Sequence, residues 1–257
     1  MKKNLILIVT ALLLTGTLQA QYKLAKSSGK LVINLPSVNV EGYSGNEIIF
    51  TSDKKEGEED ERAKGLKPIN GSGLMDNTGL GINVADNGNT VEVNPVVSRG
   101  GNITIKVPKT MSVSYAFEKV INSGNVKFKD LEGELEVSVQ YNTVTLENVT
   151  GPLTVKSIYG GVEAKFRNAI KGPLSIVSIY GFVDVTLPGS TKANIGLKTS
   201  YGEILAASGL NIELDKSGSN NDMIQFSNNN VKGKINGGGT EITLRSDYGK
   251  IYLRKGE

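Results

Sequence analysis

Of the 257 residues none is His and none is Cys. Imidazole base catalysis, Ser-His-Asp and Cys-His nucleophiles and ordinary zinc sites are therefore excluded. The groups left for chemistry are carboxylates, Lys, Arg and Tyr. A polysaccharide lyase can be built from these, with Arg or Lys as base and carboxylates holding calcium. The candidate carboxylates are Glu163, Asp184 and Glu203, each within four residues after a Tyr. Alternation puts Glu163 and Asp184 on an outer face, between buried Val162, Ala164, Val183 and Val185, where solvated surface charge is the plainer reading. Two oxygen-rich stretches, Asp86-Asn87-Gly88-Asn89 and Asn220-Asn221-Asp222, lack the spacing and closing Glu of an EF-hand, and turn chemistry accounts for both. No metal and no cofactor is expected.

The remaining chemical feature is a column of aromatics, Tyr141, Tyr159, Tyr180, Tyr201 and Tyr248. Repeated once per coil of a solenoid, such rings would stack at the strand spacing. They would serve either as an inward ladder that stabilises the stack or as an outward platform for sugar rings. Each Tyr lies an even number of residues after its aliphatic neighbours, so strict alternation points it inward, although a turn beginning at the Tyr breaks that parity.

The elements that position these Tyr follow from the residues around them. Six before each stands Leu135, Leu153, Leu174, Ile195 or Ile242, and four before stands Val137, Val155, Ile176, Leu197 or Leu244. Three after come Val144, Val162, Val183, Ile204 and Ile251. Aliphatic positions two apart mark strands with one buried face. Directly after the Tyr stand Asn142, Gly160, Gly181, Gly202 and Gly249, residue types suited to a backbone with φ > 0. Successive Tyr are 18, 21 and 21 residues apart, and the last interval is 47. That period is one solenoid coil, and stacked coils would align the aliphatic columns into one core with parallel strand pairing. Pro152 and Pro173 mark corners where the ladder needs no amide hydrogen. The fold class is thus all-β, a single-stranded parallel β-helix or solenoid with coils of about 18–21 residues. An antiparallel β-sandwich is the alternative, since it shares the alternation and turn spacing.

Taken in order, residues 1–20 read as a signal peptide, with Lys2 and Lys3, an apolar run from Leu5 to Leu14 and cleavage after Ala20. That run is shorter than a bilayer span, so no integral membrane segment is expected after cleavage. Without Lys2 and Lys3 the formal charge falls from +3 to about +1, which gives no electrostatic reason to expect nucleic acid as a partner. Residues 21–257 read as a single β-solenoid domain, with a charged loop at 53–80 and an irregular insertion at 207–239 that carries Met223, Ile224 and Phe226. Ile82 and Val84, a turn at Asp86–Asn89, then Val91 and Val93 read as a hairpin. Ser123-Gly124-Asn125-Val126 reads as the turn of a first, atypical coil, in which Lys119 falls in an aliphatic column. Thr240 to Leu253 restores the pattern at the end of the chain.

Gly133-Glu134-Leu135-Glu136-Val137, Gly151-Pro152-Leu153-Thr154-Val155 and Ser123-Gly124-Asn125-Val126 are the stretches by which the chain resembles exported bacterial adhesin-like domains of the DUF4097 type. The resemblance covers Leu31 to Leu253. It implies a right-handed solenoid with a surface or envelope role, and it offers no catalytic residues. The resulting expectation is an exported, non-enzymatic binding or scaffold protein of the periplasm, outer surface or extracellular space. Its partner would be a glycan or a cell-envelope protein, and a lyase-like carbohydrate-active enzyme is the alternative.

Overall fold

Alternating aliphatic residues become strands because each pair of inward side chains leaves water, at about 1.5–3 kcal/mol for each fully buried Val, Leu or Ile. The computed structural model describes residues 20–53, 61–66, 68–97, 101–120, 123–215 and 230–256. Residues 1–19 of the stretch expected to be a signal peptide lie outside the described residues, as do Met223, Ile224, Phe226 and Asn220-Asn221-Asp222. Among the described residues no helix is long and apolar enough to cross a membrane.

Two sheets enclose one core. The first runs, in spatial order, Gln21–Leu24, Ile48–Ser52, Ile103–Pro108, Val38–Tyr43, Val126–Lys129, Val144–Glu147, Val162–Lys165, Val183–Leu187, Ile251–Lys255 and Ile204–Ala206. The second runs Ile82–Asn87, Thr90–Pro95, Lys30–Ile33, Ser112–Phe117, Leu135–Val139, Leu153–Ser157, Leu174–Ser178, Thr240–Ser246, Ala193–Thr199, Asn230–Ile235 and Ile212–Leu214. Coil-to-coil pairing is parallel and in register, as in Leu135↔Leu153, Leu153↔Leu174 and Leu174↔Ile242. The architecture is an all-β solenoid, and the parallel pairing rules out the antiparallel sandwich. The columns named from sequence are its core: Leu135, Leu153, Leu174, Ile242 and Ile195 are buried in one sheet, and Val144, Val162, Val183 and Ile251 in the other, while Ile204, on the edge strand of that sheet, is only partly buried.

The coils do not stack in chain order. The C-terminal coil, Thr240–Ser246 with Ile251–Lys255, inserts between the coil at 174–187 and the coil at 193–206. The coil formed by Lys30–Ile33 and Val38–Tyr43 likewise inserts between the coil of Thr90–Pro95 with Ile103–Pro108 and that of Ser112–Phe117 with Val126–Lys129. Antiparallel strands cover both ends. Ile82–Asn87 closes on Thr90–Pro95 as the expected hairpin, Ile48–Ser52 and Gln21–Leu24 cover the other sheet, and Asn230–Ile235 with Ile212–Leu214 cover the far end. Part of the stretch read as an irregular insertion at 207–239 is therefore a cap. Within 53–80 the described residues form a short 3₁₀ turn at Glu61–Ala63 and a bridge between Ile69 and Met75.

The slip at Lys119 has a simple cause. Val113 and Val126 are the register partners of Leu135 and Val144, so the turn between them is four residues longer than in the later coils. Lys119 belongs to that longer turn, after the strand has ended at Phe117.

Candidate functional site

The Tyr column lies on the outside. In spatial order Tyr141, Tyr159, Tyr180, Tyr248 and Tyr201 form one continuous stack, with ring centroids 4.9, 5.1, 4.9 and 4.9 Å apart and interplanar angles of 8–15°. The residues are between 38% and 76% exposed, Tyr201 the most. Inward pointing, expected from parity, is overturned because the strands end at Ser157, Ser178 and Ser246, two residues before the Tyr. The chain bends there and strict alternation stops.

The coil backbone sets the ring spacing. The Tyr159 amide donates to the Gln140 carbonyl at 2.7 Å, Tyr180 to Ile158 at 2.8 Å, Tyr248 to Ile179 at 2.9 Å and Tyr201 to Asp247 at 2.8 Å. Beneath the turn runs a file of buried hydroxyls that the sequence reasoning missed. Ser157 and Ser178 both donate to the Gly160 carbonyl, at 2.8 and 3.1 Å, and Ser246 donates to Gly181 O at 2.8 Å. In the coil at 193–206, Thr199 Oγ1 accepts the Gly202 amide at 2.9 Å. A regular Ser, Ser, Thr, Ser column two before the Tyr was the available signal.

The small residue after the Tyr has a different reason from the one expected. None of Asn142, Gly160, Gly181, Gly202 and Gly249 has positive φ. A Cβ built on Gly181 would instead lie 2.2 Å from the Gly160 carbonyl oxygen, and one on Gly160 would lie 1.8 Å from that of Asn142. Close approach of successive turns excludes a side chain. Asn142, at the start of the column, is tolerated, and its Nδ2 donates to Gly124 O at 2.7 Å and Pro36 O at 2.8 Å.

The carboxylates separate. Glu163 and Asp184 are register partners on adjacent strands of an open outer face. Arg254 grips Asp184 through both ends of its fork, Nε to Oδ1 at 2.7 Å and Nη2 to Oδ2 at 2.8 Å. Its guanidinium also lies 5.3 Å from the Tyr252 ring centre. The hydrogen bond and charge of Asp184 push the Arg254 pKa further up, opposite to what a general base needs. Glu203 is elsewhere, paired with Lys250 at 2.7 Å, and that ammonium lowers its pKa. Asp86 accepts from Lys26 Nζ at 2.8 Å and from the Gly88 amide at 3.1 Å, as a hairpin turn residue does. Among the described residues no group of three or more Asp or Glu could hold a metal ion.

Beside the stack, on the outer face of the second sheet, Lys156, Val177, Arg245 and Lys198 occupy one register row. Arg245 is neutralised by Asp247, at 2.7 and 2.8 Å, which raises the Arg pKa and lowers that of the Asp.

Two solved structures show a distant similarity to the chain. One is a putative cell adhesion protein from Clostridium sporogenes ATCC 15579, 13% identical, with a TM-score of 0.42 over 93% of this chain and 100% of that one. The other is a putative adhesin from Bacteroides fragilis NCTC 9343, 12% identical, with a TM-score of 0.29 over 93% of this chain and 98% of that one. No curated protein matches. The sequence model of the Toastrack DUF4097 family matches residues 121–254, more than half of the chain and the whole of the Tyr stack, and the chain belongs to that family.

Proposed function

We propose that this protein is a non-catalytic binding scaffold, exported to the envelope or cell surface, whose file of Tyr holds an extended glycan chain lying along the stack axis. The observation that carries this reading is the exposed stack of five rings at 4.9–5.1 Å. Rings stacked face to face offer their edges and hydroxyls to a ligand rather than their faces. Each phenol both donates and accepts, so the file repeats one such group per coil. An extended polysaccharide advances per sugar by a distance close to one strand spacing, which lets successive sugars meet successive hydroxyls. Only a ring at the end of the stack keeps a free face for a sugar, and Tyr201 is the more exposed of the two. Right-handed winding accords with the hand of nearly all connections between parallel strands of one sheet. The signal-peptide pattern of residues 1–20, Lys2 and Lys3 before an apolar run, supports export.

The test is binding of the purified Gln21 to Glu257 protein to a panel of polysaccharides, with calcium and with chelator, while ultraviolet absorbance is followed for unsaturated lyase products. Saturable binding without product, weakened by Tyr180→Ala, is expected. Product release would replace the reading by a lyase and direct attention to Arg254, Asp184 and Glu163. Absence of binding to every glycan would discard the glycan and leave an envelope protein as the partner to seek.

A further inference from the structure

The outer face of the first sheet carries its charges largely in pairs. Lys127 Nζ lies 2.7 Å from Glu147 Oε1, Lys129 Nζ 3.4 Å from Glu41 Oε1 and Arg254 Nε 2.7 Å from Asp184 Oδ1. The second sheet differs along the row that stands three residues before each Tyr. In spatial order that row is Ser138, Lys156, Val177, Arg245 and Lys198, and it accompanies the ring stack over its whole length. It contains no carboxylate.

The surroundings of the two lysines are neutral or already engaged. Lys156 is exposed between Ser138 and Val177, with Thr154 and Ser175 one step along the strands. Glu136, diagonal to it, is held by Lys30 at 2.8 Å. Lys198 is exposed between Arg245 and Asn230. The acid nearest in the row is the buried Asp247, and both ends of the Arg245 fork already take it, at 2.7 and 2.8 Å. Glu203, on the other side of the stack, is held by Lys250 at 2.7 Å. Among the described residues neither Lys156 nor Lys198 has an ion-pair partner. The stack is therefore flanked by two unmatched positive charges, three strand spacings or about 14 Å apart, with a neutralised Arg between. A stripe of one sign along a binding face raises the local concentration of ligands of the other sign.

We propose, on the reading that the Tyr stack holds a glycan, that this glycan is a polyanion, its sugars bearing carboxylate or sulfate groups that meet Lys156 and Lys198 while its hydroxyls meet the phenols. A chain that advances by about one strand spacing per sugar, and presents the same face at every third sugar, brings its anionic groups opposite both lysines. The anionic groups between, over Val177 and the Asp247-bound Arg245, face water. A neutral chain leaves both ammonium groups unmatched and gains only the phenols.

The experiment is isothermal titration calorimetry of the Gln21 to Glu257 protein with two matched pairs of polymers, polygalacturonate against its full methyl ester and dextran sulfate against dextran. Polyglutamate serves as a polyanion without sugars. The anionic member of at least one pair is expected to bind about tenfold more tightly than its neutral partner, and which pair responds tells carboxylate from sulfate. Lys156→Gln and Lys198→Gln should each weaken that binding about threefold and together about tenfold, as exposed ion pairs do. Asp247→Asn, which leaves the Arg245 charge unmatched beside the stack, should strengthen it. Lys165→Gln, the same chemical change on the outer face of the first sheet, should leave it unaltered. Equal binding of the neutral partners would overturn the polyanion while leaving the stack a glycan site. Absence of binding by every sugar polymer, or full affinity in Tyr180→Ala, would discard the stack as a glycan site and the proposal with it. Polyglutamate binding as tightly as the glycans, full affinity in the double Lys variant, or no gain in Asp247→Asn would each overturn the proposal as well.

Discussion

Replacing Gly181 tests how the coils are held together. An Ala there would place its Cβ 2.2 Å from Gly160 O, 2.5 Å from Gly160 C and 2.8 Å from Gly161 N, all backbone atoms. Real Cβ contacts essentially never fall below 3.0 Å, so the neighbouring turn must retreat by roughly 1 Å out of a strand spacing of about 4.8 Å. A retreat of that size stretches the Tyr180 amide bond to Ile158, now 2.8 Å, beyond bonding range. Overpacking costs about 1–3 kcal/mol and a lost hydrogen bond about 0.5–1.5 kcal/mol, so a loss of about 2–4 kcal/mol is expected. For a domain of this size that corresponds to a drop in Tm of about 5–15 °C. Gly181→Asn separates the two explanations for the column, because Asn tolerates positive φ but carries the same Cβ. Close approach predicts that Asn fails like Ala. Gly196→Ala is the control, since its Cβ meets nothing nearer than Thr243 Oγ1 at 4.0 Å, and it should be neutral or raise stability by about 0.4–1 kcal/mol. The assay is thermal unfolding followed by far-ultraviolet circular dichroism. A Gly181→Asn protein that melts with the wild type would refute the close-approach argument.

The Tyr stack predicts a graded effect: Tyr180→Ala removes two ring contacts and Tyr201→Ala one, so at about 0.5–1.5 kcal/mol per contact the first should cost about twice the second in urea unfolding. Equal costs would mean that the rings do not stack in solution. Glu132, hydrogen-bonded first by Lys109 and then by Lys171, has its pKa held down at about 2. A folded-state pKa below the unfolded value contributes stability that is present above about 4.5 and fades as pH falls toward 2. The difference in Tm between wild type and Glu132→Gln should therefore shrink over that window, and a carboxyl carbon NMR titration should place the Glu132 midpoint near 2. A midpoint in the ordinary Glu range would show that the two lysines do not brace it.

Inward columns and parallel stacking were legible because each rests on a local period, two along the strand and one coil along the chain. Leu135, Leu153 and Leu174 could be aligned by eye, and they pair in that register. The order of the last two coils was not legible. Ile195 and Ile242 present the same aliphatic column, so nothing local says which of them should follow Leu174, and the 47-residue interval between their Tyr is equally compatible with either order. The direction of the Tyr was missed because parity was carried two residues past the end of the strand. Gly181 was legible as a required Gly, but its φ and its crowding leave the same mark on a sequence. The three extra residues of the longer coils were legible, and the fixed offsets of the aliphatic columns from each Tyr put them at the corner away from it, but the side chains that close on one another at that corner come from coils distant in sequence and leave no local pattern.

The first and last parallel coils, Lys30–Tyr43 and Thr240–Lys255, each lie one coil inside the boundary of the stack, and this bears on how the molecule can be made and lost. The coil at Thr240–Lys255 must slide between two coils made before it, so the stack cannot close until that coil has been synthesised, and pairing at such long range is slow. A terminal repeat in an ordinary solenoid can peel away with only one interface broken. Here detaching either terminal coil breaks two, which ties local fraying to the collapse of its neighbours and makes the ends cooperative rather than loose. A repeat inserted directly after Lys255 would emerge in the middle of the stack. Duplication within the run from Leu135 to Leu187 is the route that leaves both insertions undisturbed.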